Sequence, residues 1–160
     1  MADQSQIVAA LAENGQPDTC FDALCRLAET TVGARLFTIT ICDDAVGGVR
    51  RAYSNMPEPY PVSGTKPYNE TDWSRVVMDE RRTFVANDID AIAQVFYDHE
   101  LIRSLGCASV INVPVTINDK VIGTINCLHE AGYYTPERVA ASETLILPGA
   151  ACLLLARSLN

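Results

Sequence analysis

Two asparagines, Asn112 and Asn126, stand inside apolar strand-like runs of VINVPVTINDKVIGTINCLHE, residues 110–130. A buried amide without partners costs ~1–3 kcal/mol. Among Val110, Ile125 and Cys127, Asn112 therefore either bonds to nearby backbone or offers a polar contact on a pocket floor. Cys127 and His129 could ligate a metal, but two ligands make half a site, and His129 reads as an edge histidine beside solvent. Asp98-His99-Glu100 offers acid–base groups. Adjacent helix residues point in different directions, so the triplet reads as a polar helix face. The six cysteines (Cys20, Cys25, Cys42, Cys107, Cys127 and Cys152) contain no C-x-x-C pair. Most sit among aliphatic residues, where a free thiol behaves as a small hydrophobe.

The elements that position these residues follow from periodicity. Residues 4 to 13 read as a short helix ended by Asn14-Gly15. A second helix begins at Pro17-Asp18-Thr19 with Asp18 or Thr19 as cap, and Phe21, Leu24, Cys25, Leu27 and Ala28 share one face. RLFTITICD (35–43) and VRRAYSN (49–55) form a hairpin through Gly47-Gly48. Leu36, Thr38, Thr40 and Cys42 face one way, and Phe37, Ile39 and Ile41 the other. Residues 56 to 73 carry four prolines, which exclude regular structure. They also carry Tyr60, Tyr68 and Trp73, so the loop is expected to fold over something. A short helix (74–82), a strand (83–87) and a segment helical at least in its later half (90–106, stopped by Gly106) follow. Thr135 caps a terminal helix with Pro136 at its first position, and Pro148 kinks or splits it.

Asn118-Asp119 is a two-residue hairpin turn. That turn sets Ile117 opposite Lys120, Pro114 opposite Gly123 and Asn112 opposite Ile125. Opposed residues share a face, so Asn112 is expected on one side with Ile125 and Cys127. Asn126 and Thr124 are expected on the other, under the terminal helices. Both faces are mainly apolar, so both are covered: one by the first two helices and the last, the other by the middle helices and the aromatic loop.

Composition bounds the function. A 160-residue chain with 48% aliphatic and aromatic residues is expected to form one packed domain over 1–160. Its core spans about 18–157, preceded by the helix at 4–13. The formal charge is −8, and the longest basic runs are Arg50-Arg51 and Arg81-Arg82. That argues against nucleic-acid binding. No apolar run approaches the ~18 residues of a membrane span. The N-terminal stretch lacks the cations of a secretory signal. A cytoplasmic protein with buried, unpaired thiols is expected.

The order of elements, with Val113-Pro114-Val115, the short turn, Val121-Ile122-Gly123-Thr124-Ile125 and TFVANDI, resembles the GAF domain family over about residues 18–157. The resemblance implies an α+β fold: a central antiparallel sheet of five or six strands with helices on both faces, and a small-molecule pocket under the middle helices. The family's cyclic-nucleotide motif is matched only by Asn87-Asp88 and Phe96-Tyr97-Asp98-His99-Glu100, with Asp in place of the Lys. His99 follows Asp98 rather than a Cys, so no covalent tetrapyrrole is implied. Against the family's free methionine-R-sulfoxide reductase, the nucleophile falls on Arg103 and the substrate-holding acid on Val110.

The expectation is a stand-alone sensory module that binds a small organic molecule noncovalently. Trp73, Asn87, Tyr97, His99, Ser109 and Asn112 are the candidate ligand contacts. Acidic groups (Asp88, Asp90, Asp98, Glu100) would disfavour a highly anionic ligand. No catalytic residue, metal or cofactor is assigned. The partners expected are the ligand, a second copy through the terminal helices, and a separate signalling protein. Two alternatives are carried: a thiol reductase relying on Cys107 or Cys127, and a dimerisation module without ligand.

Overall fold

The computed structural model describes residues 4–67 and 70–159, so Tyr68 lies outside the described residues. After α1 (Ser5–Leu11) comes α2 (Asp18–Thr31), whose Phe21, Leu24, Cys25, Leu27 and Ala28 are all buried. That is the apolar stripe of an amphipathic helix. Neither Asp18 nor Thr19 caps α2: Pro17 holds the cap position, and the Thr19 hydroxyl turns back to the Asn14 carbonyl at 2.8 Å.

Among the described residues six antiparallel strands form one sheet: β1 (Leu36–Asp43), β2 (Gly48–Ser54), β3 (Lys66–Pro67), β4 (Phe84–Ala86), β5 (Ser109–Ile117) and β6 (Lys120–His129). Their spatial order is β3-β2-β1-β6-β5-β4. The proline-rich segment thus holds a short strand after all. It is an edge strand, where a proline without an N–H is tolerated.

Asn118 and Asp119 both take positive φ, 49° and 66°, as a tight hairpin turn requires. The expected register survives for only two pairs beyond the turn. Ile117 faces Lys120 and Thr116 faces Val121, but Val115 faces Gly123, so Ile122 is an extra residue. This bulge shifts every later pair by one and turns every later side chain of β6 to the opposite face. Asn112 consequently stands opposite Asn126, not Ile125. The expectation that the two asparagines point to opposite sides is overturned. A second irregularity, between Ile39 and Thr40 in the β1–β2 pairing, leaves Thr40 opposite Arg51.

One face of the sheet carries Phe37, Ile39, Ile111, Val113, Ile125 and Cys127. It is covered by α1, α2 and the helices after Thr135: α6 (Pro136–Ser142), a tight turn (Glu143–Leu145) and α7 (Ile146–Ser158). The helix splits three residues before Pro148, which then sits in the first turn of α7. Thr135 caps α6 by accepting from the Arg138 amide. By length and composition, the 23-residue run Pro136–Ser158 is apolar enough to cross a membrane. Glu137, Arg138 and Glu143 hide that length from a search for unbroken apolar runs. Its Leu145, Cys152, Leu153 and Ala156 are buried in the core, as in any core helix.

The other face carries Leu36, Val110 and Leu128 beneath α4 (Ile89–Ala93) and α5 (His99–Ser104). These are two short helices separated by residues 94–98. Gly106 ends the second at φ +80°. Tyr60 and Met56 close this layer from the long loop. The segment expected as a short helix at 74–82 is one turn of α3 (Asp72–Ser74) running into a wide π turn, Arg75–Asp79.

Candidate functional site

The α4–α5 side of the sheet is not fully closed. A cavity of about 260 Å³ lies between the strands, Tyr60 and the segment Val95–Asp98. Its floor is polar. Thr38 and Thr40 of β1, Asn126 of β6 and Asn112 of β5 project to the same face across three adjacent strands.

These side chains form one directional chain of hydrogen bonds. The Trp73 indole N–H donates to Asn112 Oδ1 at 3.0 Å, and Asn112 Nδ2 donates to Asn126 Oδ1 at 2.7 Å. Asn126 Nδ2 then donates to the Thr38 and Thr40 hydroxyl oxygens, both at 3.1 Å. Because an indole can only donate, Trp73 sets which end of each amide is oxygen and which is nitrogen. Asn112 and Asn126 are 4% and 6% exposed, so each bond replaces one that water would otherwise supply.

The walls are aromatic and apolar: Trp73, Phe96, Val110, Ile102 and Leu128. Trp73 and Phe96 meet edge to face, with ring centroids 6.4 Å apart. At the mouth, the Arg51 guanidinium lies 3.7 Å over the Tyr60 ring, whose hydroxyl donates to Asp98 Oδ2 at 2.7 Å. Burial, with the Asp98 charge beside it, pushes the Tyr60 hydroxyl well above the usual tyrosine range. It therefore stays a donor at neutral pH.

Of the six sequence-derived candidates, Trp73, Tyr97 and Asn112 line this cavity, with Tyr97 86% exposed at the rim. The other three side chains are engaged elsewhere. Asn87 clasps Tyr134, donating to its carbonyl and accepting from its amide, both at 3.0 Å. The His99 ring nitrogen Nδ1 lies 3.1 Å from the Phe96 carbonyl. Ser109 donates to the carbonyls of His129 and Glu130. It belongs to the β5 side-chain set of Ile111 and Val113, on the face away from the cavity.

Sequence reading missed Thr38, Thr40, Tyr60, Arg51 and Lys66 as lining residues, and placed Asn126 on the wrong face. Two threonines on one face of an otherwise apolar strand were the available signal. The acidic approach also needs correction. Of Asp88, Asp90, Asp98 and Glu100 only Asp98 lines the cavity, and Asp88 instead accepts from the Ala91 amide as the cap of α4. Two cations, Arg51 and Lys66, line it as well.

All six cysteines are free and buried. Burial raises the thiols of Cys107 and Cys127 above the ordinary value, and pushes Cys25 to about 12 and Cys42 to about 11. A nucleophilic thiol needs the opposite shift. Cys20 is the one thiol drawn down, through a hydrogen bond with Cys152, and both sit in the core under α2 and α7. None of the six lines the cavity. Among the described residues, no three His, Cys, Asp or Glu side chains gather as metal ligands. His129 stacks on Tyr133 at 3.5 Å while Cys127 lies in the core.

The sequence model of one protein family, described as GAF domain, matches residues 15–151. Solved structures share the fold. The GAF domain from a phosphoenolpyruvate-protein phosphotransferase of Coxiella burnetii superposes with a TM-score of 0.74 at 16% identity, covering 96% of this chain and 92% of that one. The corresponding domain from Acinetobacter gives 0.73 at 11% identity, covering 98% and 93%. Free methionine-R-sulfoxide reductase from Neisseria meningitidis, solved with its substrate, gives 0.70 at 14% identity, covering 98% and 89%. At these identities the likeness is one of fold. No curated protein matches the sequence.

Proposed function

The chain belongs to the GAF domain family, and from that premise we propose that it is a sensory module binding a small organic molecule noncovalently in the cavity over Asn112 and Asn126. The observation that carries this reading is the combination of an apolar, aromatic-walled cavity with a convergent polar floor, the usual composition of a ligand site. Trp73, Tyr97 and Asn112 are the proposed contacts among the sequence candidates, joined by Asn126, Thr38 and Thr40. Six unpaired thiols support a reducing, cytoplasmic setting. Binding would be relayed to a separate signalling protein.

Native mass spectrometry of the purified protein, set against its denatured mass, tests the reading. An excess mass lost on denaturation is expected. A clean apo mass, together with no response of Trp73 fluorescence to a small-molecule library, would overturn it.

The reductase alternative has little support here. Cys107 and Cys127 are buried, raised in pKa and outside the cavity. A second reading, self-association through the terminal helices, rests on a specific observation. Leu147 and Leu154, two helical turns apart on α7, are 72% and 46% exposed, and Val8 on α1 is 69% exposed. Light scattering decides it, and a monomer would remove it.

A further inference from the structure

The serine and threonine hydroxyls that line the cavity share one property, which the Tyr60 hydroxyl, a donor to Asp98, does not. Thr38 and Thr40 accept from Asn126, Ser63 Oγ accepts from the Arg51 amide at 3.0 Å, and Thr71 Oγ1 accepts from the Ser74 amide at 3.3 Å. Each hydroxyl oxygen is thus occupied by a protein donor. Among the described residues none of the four donates in turn. A hydroxyl carries one O–H as well as its lone pairs, so four O–H groups remain to be aimed at a bound molecule. For Ser63 and Thr71 the donor is a backbone amide; for Thr38 and Thr40 the cause lies at the far end of the chain of amides. Trp73 can only donate, so polarity runs from Trp73 through Asn112 and Asn126 toward β1 and ends on Thr38 and Thr40.

Charge runs the same way. Arg51 uses one guanidinium N–H on the Pro61 carbonyl at 2.8 Å and keeps others; Lys66, opposite Val49 on the neighbouring strand, also lines the cavity. Among the described residues the single lining acid is Asp98, and one of its oxygens is committed to the Tyr60 hydroxyl. The cavity therefore offers a surplus of donors and positive charge at its β1–β2–β3 side, and apolar surface from Val110, Leu128 and Ile102 toward β5 and α5.

Resting on the pocket reading above, we propose that the ligand is a small organic carboxylate. Its anionic head lies against Thr38, Thr40, Arg51 and Lys66, and its short apolar tail against Val110 and Leu128. Charge-assisted hydrogen bonds are about twice as strong as neutral ones, so the head group governs selectivity and the tail governs fit.

The test uses one five-carbon skeleton with three heads: 3-methylbutanoate, 3-methylbutanamide and 3-methylbutylamine, with inorganic phosphate as a head without a tail. The intact protein has a single tryptophan, Trp73, on the cavity wall, so its fluorescence reports occupancy directly. Saturable binding of the carboxylate is expected, with the amide about tenfold weaker and no response to the amine. Lys66→Gln and Arg51→Gln should each weaken the carboxylate several-fold and leave the amide unchanged. Because the Lys66 side chain is exposed, its variant keeps the test valid if loss of Arg51 disturbs Tyr60.

Amide or amine binding as tight as the carboxylate overturns this ligand class while leaving the pocket reading intact. Phosphate binding as tight as the carboxylate overturns the role of the tail. Silence from all four probes overturns the proposal; the pocket reading falls with it only if native mass spectrometry also finds no ligand.

Discussion

Asn112 links the tryptophan of the cavity wall to the polar floor. It accepts from Trp73 and donates to Asn126, so replacing it by leucine strands an indole N–H and an amide oxygen at once. Each buried group left without a partner costs about 1–3 kcal/mol. Asn112→Leu should therefore lower stability by a few kcal/mol in urea denaturation, as well as abolish ligand binding. Asn112→Asp keeps an acceptor for Trp73 but loses the donor to Asn126, and should fall between leucine and wild type. Equal stability of the leucine variant and wild type would mean that water replaces the relay. Legibility at this scale was partial. A polar residue in an apolar strand was visible in the sequence, but its partner was not, because Asn126 lies on the next strand and Trp73 is 39 positions away.

At the scale of elements, the bulge at Ile122 decides what the cavity contains. Gly123 follows it, and a Cβ there would lie 2.4 Å from the Thr40 carbonyl and 3.0 Å from the Leu153 methyls of α7. The obstructing backbone belongs to a central strand and cannot swing away. Gly149, on α7, is a useful contrast. Its added Cβ would meet Ile125 Cδ1 at 2.4 Å, the movable end of a side chain, and alanine favours a helix by up to about 1 kcal/mol over glycine. Gly123→Ala should cost about 1–3 kcal/mol by urea denaturation, and Gly149→Ala clearly less. The opposite order would show that the β1–β6 contact is looser than its geometry. Helices and strands were legible from periodicity, since Phe21, Leu24, Cys25, Leu27 and Ala28 form the buried stripe of α2, and Phe37, Ile39 and Ile41 are the buried apolar set of β1. The breaks were not: the gap between α4 and α5 and the edge strand at Lys66–Pro67 depend on what they pack against.

For the whole molecule, one sheet separates two unlike layers. The larger, under α2 and α7, is a continuous apolar core and holds Cys20, Cys25, Cys127 and Cys152; the smaller, under α4 and α5, has fewer buried residues and leaves the cavity. The proposed ligand site and the exposed Leu147 and Leu154 on the outer face of α7 thus lie on opposite sides of the sheet. If that face mediates self-association, Leu147→Glu with Leu154→Glu should convert a dimer to a monomer by light scattering, with the ligand response of Trp73 retained. An unaltered dimer in that double variant would place the interface elsewhere.

By itself the sequence determined the main helices and strands, the two-sided covering of the sheet, the burial of the thiols and the GAF resemblance. The elements, the covering and the burial follow from residue types and their spacing, a property each segment carries locally. The resemblance rests on the motifs around Val113-Pro114-Val115 and Gly123 and on the order of elements. Only the tertiary structure decided that Asn112 and Asn126 meet, that Arg51 and Lys66 join them, and that Asn87 and Ser109 stand apart. The reason is the period of two in a strand: one extra residue at Ile122 reverses the facing of everything beyond it. The close approach of Thr40 and Leu153 to Gly123, just past the bulge, is likewise a contact between distant segments that the turn sequence does not display.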